Sequence, residues 1–63
     1  MTNLPTPYAV ARIAAFVSEH LCWSVFWDKR KGLWRAAEDD PNSDLHVESP
    51  DADVVIGYIA AHS

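Results

Sequence analysis

The sequence predicts an α+β fold: a small α-β-β-β-α domain in which an antiparallel three-stranded meander packs against two helices. Three observations carry that reading. Two apolar stripes of helical period lie toward the ends of the chain, each introduced by a hydroxyl residue and a proline, Thr6-Pro7 and Ser49-Pro50. Between them runs Cys22-Trp23-Ser24-Val25-Phe26-Trp27, an aromatic and β-branched segment of strand character. A short loop ending in Gly32 then turns that segment back on itself.

The first helix is expected over residues 7–20. Thr6 caps the free N–H groups and Pro7 suits the first helical position. Ala9, Ile13, Phe16, Val17 and His20 fall on one face, which Val10 and Leu21 widen, and Ala11, Ala14 and Ala15 favour the helix. The first strand follows, with Trp23, Val25 and Trp27 on one face and Ser24, Phe26 and Asp28 on the other. Asp28-Lys29-Arg30-Lys31-Gly32 is the hairpin loop: Asp28 can bond the turn backbone, and Gly32 can take a positive φ at the exit. Leu33-Trp34-Arg35-Ala36-Ala37 is the return strand. Two registers are open. A loop that pairs Asp28 with Leu33 sets Trp27 opposite Trp34 as an aromatic cross-strand pair, whereas a bulged loop one residue shorter moves Trp34 to the other face.

Residues 38–44 form an acidic turn, and Leu45-His46-Val47-Glu48 alternates as a short third strand. Ser49-Pro50 repeats the start logic of Thr6-Pro7, and Asp51 and Asp53 suit the positive end of the helix dipole. Val55, Tyr58, Ile59 and His62 make the stripe of a second helix running to the chain end, with Gly57 expected to permit close contact with the sheet.

With 63 residues, the chain (residues 1–63) is read as one domain. A domain of this size buries only about 60% of the surface of its unfolded chain, so its large apolar residues are committed to one core and little remains for a deep cleft. Cys22 is the one cysteine, which excludes an intramolecular disulfide and a cysteine-rich zinc site and fits a reducing compartment. The apolar stretch of residues 8–17 is interrupted by Arg12 and too short to span a bilayer. The expectation is a soluble, cytoplasmic protein without a membrane role.

Charge is polarised along the chain. The formal net charge is −4, yet Lys29, Arg30, Lys31 and Arg35 hold four of the five basic side chains, and residues 36–63 carry acids and no Lys or Arg. The basic tip with a tryptophan beside it suits phosphate contact and base stacking, which makes a nucleic-acid accessory role one alternative. The acidic total opposes it. The element order is also that of double-stranded-RNA-binding domains, but where those carry a basic cluster this chain has Ser49-Pro50-Asp51-Ala52-Asp53, which repels phosphate. The acids Glu38, Asp39, Asp40 and Asp44 lack the ligand spacing of a calcium loop, and no metal site or cofactor is expected.

No Gly-rich phosphate loop, His-x-x-x-His pair or Gly-x-Ser-x-Gly elbow is present, so no catalytic residue is assigned. A small enzyme or ligand carrier built on Cys22 with His20 or His46 is a second alternative; the simpler reading of Cys22 is a small core residue. The leading expectation is a non-enzymatic protein-interaction domain, adaptor or regulatory, that binds a protein partner or a second copy of itself. Trp27, Arg30, Lys31, Trp34 and Arg35 are the expected contact residues, drawn from the surplus of aromatics on the hairpin and its basic loop. Whether the tryptophan-bearing face is core or exposed is open at this stage.

The run Trp23-Ser24-Val25-Phe26-Trp27-Asp28 with Gly32-Leu33-Trp34-Arg35-Ala36 resembles that of small uncharacterised proteins of actinobacterial type, stand-alone chains with a similar aromatic hairpin. The resemblance spans most of the chain and implies no activity and no functional residue.

Overall fold

The computed structural model describes residues 4–62. Its elements are α1 (Pro7–Val17), β1 (Trp23–Asp28), β2 (Leu33–Glu38), β3 (His46–Ser49) and α2 (Ala52–Ala61). The strands form one antiparallel sheet in the order β1-β2-β3, and both helices cover the same face of it. The expected α-β-β-β-α meander is therefore the observed architecture.

Helix α1 starts as its sequence dictates. Thr6 is extended, its hydroxyl oxygen accepts the Ala9 N–H at 3.1 Å, and Pro7 occupies the first turn. The helix is shorter than the expected span of residues 7–20. After Val17 the hydrogen bonds tighten to three-residue spacing: Glu19 donates to the Phe16 carbonyl at 3.1 Å and His20 to the Val17 carbonyl at 3.0 Å. The Ser18 hydroxyl also donates to the Ala15 carbonyl at 2.7 Å, a local side-chain bond that competes with continued helix. The predicted widening of the apolar face also fails, because Val10 and Leu21 are exposed.

The hairpin settles the open register. Asp28 pairs with Leu33 and Trp27 with Trp34, so residues 29–32 form the loop. Gly32 has φ 66°, where a Cβ would be strained, and its N–H donates to the Asp28 carbonyl at 2.8 Å. Asp28 Oδ1 accepts the N–H groups of Arg30 at 2.9 Å and Lys31 at 3.2 Å, which fixes the turn. The Trp27 and Trp34 rings meet edge to face with centroids 5.3 Å apart.

Both ends of β3 and the start of α2 shift slightly from expectation. The third strand is His46–Ser49 rather than residues 45–48, and Leu45 instead packs against the core edge. Helix α2 is capped by Asp51, whose carboxylate accepts the Asp53 N–H at 2.9 Å, while Ser49 Oγ accepts the Asp51 N–H at 3.1 Å. Pro50 thus precedes the cap instead of opening the helix, because the Ser49 hydroxyl is engaged with the Asp51 N–H and Asp51 caps the first turn. Gly57 makes no close approach to the sheet: it is exposed, and a Cβ there would meet nothing within 4 Å.

The core lies between sheet and helices. Ile13 from α1, Trp23 from β1, Trp34 and Ala36 from β2, and Ala52, Val55 and Ile59 from α2 are buried. The tryptophan-bearing face is therefore the inner one. Trp23 meets Tyr58 of α2 edge to face at 6.2 Å. Helix α1 lies against β1, α2 lies against β2 and β3, and the Arg12 guanidinium bonds the Asp53 carboxylate across the two helices.

Candidate interaction surface

Alternation along the strands sorts the expected contact residues onto opposite sides of the sheet. Trp23, Val25 and Trp27 of β1 face the same side as Trp34 and Ala36 of β2, and this side is covered by helices. Trp34 is only 5% exposed, so it is a core residue and is not displayed for a partner in the folded chain. Trp27 is half-buried against the same core. Arg30 and Lys31 are exposed at the hairpin tip, and Arg35 stands on the opposite, uncovered face of the sheet.

That uncovered face is organised around Arg35. Its Nε lies 2.8 Å from the Glu48 carboxylate on β3, and its Nη1 lies 3.6 Å from Asp28 on β1. Its guanidinium carbon lies 5.6 Å from the centre of the Phe26 ring, directly across the β1–β2 ladder. Register explains the closeness to Glu48. The Glu38 N–H donates to the Leu45 carbonyl, and by alternation Arg35 and Glu48 form a non-hydrogen-bonded pair, the type whose side chains approach most closely. Because these side chains are partly solvated, the ion pairs contribute about 0–1 kcal/mol each; their main effect is to orient Arg35.

Phe26 is the exposed aromatic that the sequence reading did not single out. It is 54% exposed, the largest aromatic surface on the bare sheet face. The signal was its position between Ser24 and Asp28, two polar residues that mark the solvent-facing parity of β1. With Arg35, Ala37, His46 and Glu48 it borders a shallow cleft of about 100 Å³. Asp28 links this face to the tip, since one carboxylate oxygen holds the loop backbone and the other faces Arg35.

The second candidate region surrounds Cys22, which is exposed and is not the core residue expected. It borders an open depression with Glu19, His20, Trp23, Glu38 and His62. Nδ1 of His20 lies 2.9 Å from the Phe16 carbonyl and Nδ1 of His62 lies 2.8 Å from the Tyr58 carbonyl, so both rings are tethered to their own helical segments. His46 is likewise tethered to the Asp44 carbonyl, on the outer face of β3. Among the described residues no group of three or more His, Cys, Asp or Glu side chains is placed to hold a metal ion. None of the described helices is long and apolar enough to cross a membrane.

No known protein family matches this chain, and no curated protein or solved structure is similar to it.

Proposed function

We propose that the chain is a small non-enzymatic interaction domain of the cytoplasm that binds a protein partner through the outer face of its hairpin. The observation that supports this most is the pair on that face: Phe26, half in solvent, beside Arg35, which is oriented by Asp28 and Glu48. Aromatic and arginine side chains are the types that dominate binding energy in protein interfaces, and neither is needed to close this core. Arg30 and Lys31 extend the same surface at the tip. Burial of Trp34 and half-burial of Trp27 count against the nucleic-acid alternative, because they remove the stacking platform that reading requires.

The test is a photo-crosslinking residue placed at position 26 in host cells, with one at the exposed position 11 on α1 as control. A nuclease-resistant adduct with one protein at position 26, absent at position 11 and lost on Arg35→Glu, is the expected result. Equal labelling at both positions overturns the reading, and a nuclease-sensitive adduct replaces it with the nucleic-acid one.

A further inference from the structure

We propose that the chain forms a two-fold homodimer in which the outer faces of two sheets pack against each other with their strands antiparallel. This rests on the outer-face reading and names its partner as a second copy.

The relief of the face is the first argument. Side chains of outward parity form two neighbouring rows across the three strands. Phe26, Arg35 and Glu48 are register partners and make a ridge. Ser24, Ala37 and His46, one pleat away, are register partners too and make a furrow with a methyl group at its centre. Five of the six are exposed, and the Arg35 side chain is 42% exposed. The shallow cleft described above belongs to this furrow, bordered by Ala37, by Phe26 on β1 and by His46 on β3.

Ridge and furrow lie side by side, so the face is complementary to itself. A two-fold axis running across the strands between the two rows sets each ridge into the partner's furrow. Phe26 then faces the partner's Ser24, Arg35 the partner's Ala37 and Glu48 the partner's His46. Such reciprocity is what a two-fold interface requires, where each contact is made twice. Facing sheets interlock their side chains in this manner and keep their strand directions within about 30° of each other. An axis along the strands instead stacks ridge on ridge.

Charge selects the same axis. One end of the face carries the hairpin loop, with Arg30 and Lys31 exposed. The other end carries Asp39, whose carboxylate accepts the Ser24 hydroxyl on the outer side of the sheet, and the exposed Asp40 and Asp44. An axis across the strands brings each basic loop toward the partner's acidic end, twice over, whereas an axis along the strands sets loop against loop. A foreign partner would have to supply both the relief and the bipolar charge; a second copy carries both. With six residues in β1 and three strands, the face measures about 20 by 14 Å, so the dimer belongs to the small, dissociable class.

Sedimentation velocity over a wide concentration range tests the proposal. The mass is expected to rise from 7.0 kDa at low concentration toward twice that value. Ala37→Lys fills the furrow at an exposed site outside the core and is expected to raise the dissociation constant at least about tenfold. The decisive arm is a charge exchange. A variant with Arg30→Glu and Lys31→Glu and a variant with Asp39→Lys and Asp44→Lys are each expected to be monomeric, and an equimolar mixture of the two is expected to dimerise. Circular dichroism confirms that each variant is folded before it is scored. A wild-type chain that stays monomeric at every concentration overturns the proposal, as does a dimer indifferent to Ala37→Lys or a mixture of reversed variants that fails to associate. A monomeric chain that still gives an adduct with one other protein at position 26 in cells overturns the second copy and keeps the outer-face reading; equal labelling at positions 26 and 11 removes both.

Discussion

Asp28 joins the stability of the hairpin to the display of its charged surface, so its replacement has a calculable cost. Its carboxylate is 14% exposed, accepts two backbone N–H groups at 2.9 and 3.2 Å and faces Arg35 at 3.6 Å. Hydrogen bonds to a charged group are worth about 1.5–3 kcal/mol when the orphaned donor stays buried. Here the freed N–H groups of Arg30 and Lys31 return to water, so about 1 kcal/mol each is the better figure. The Arg35 pair adds little, about 0–1 kcal/mol. Asp28→Ala should therefore cost about 2 kcal/mol, which for a domain of this size lowers Tm by roughly 8–16 °C. Asp28→Asn keeps an acceptor for the loop and loses the charge, so it should cost about half as much. Urea titration followed by tryptophan fluorescence reads both values, since Trp23 and Trp34 are buried. An alanine variant within about 0.5 kcal/mol of wild type would refute the claim that Asp28 holds the loop.

Gly57→Ala should stabilise the chain by about 0.5–1 kcal/mol, because the added methyl meets nothing and the helix gains propensity; a loss in the same urea assay would contradict the open surroundings. Gly32→Ala should act in the opposite sense by about 1 kcal/mol, because an alanine is strained at φ 66°; an unchanged midpoint would count against that loop geometry. Trp34→Ala should cost about 3–5 kcal/mol and leave the chain largely unfolded at room temperature, checked by circular dichroism. Cys22 should react completely with a maleimide without denaturant; a thiol that needs unfolding to react would restore the core reading.

The fold was legible wherever a local rule and the global packing agreed. Thr6-Pro7 marked a helix start because capping and the fixed φ of proline act within a few residues. The sequence left two hairpin registers; Gly32 at the exit and the Asp28–Leu33 closing pair decide between them, and they place Trp34 inside. The end of α1 was hidden because residues 18–20 still follow helical spacing, while a serine hydroxyl and three-residue hydrogen bonds end the helix there. Ser49-Pro50 imitated a cap that Asp51 in fact supplies. Which aromatic side chains face solvent was less legible than the fold. Tryptophan counts alone suggested a display surface, but in so small a chain the largest side chains are drawn inward, and the exposed aromatic is Phe26.

The parity of the hairpin has an evolutionary consequence. Along the same two strands, residues that close the core alternate with residues that meet solvent, so Trp23, Val25, Trp34 and Ala36 are constrained by packing while Phe26 and Arg35 are not. Substitutions at the second set can change the chemistry of the outer face without taxing a domain that has little stability to spare. A lineage carrying this scaffold can hold its interior constant and drift in the surface it shows to solvent, one outward position at a time.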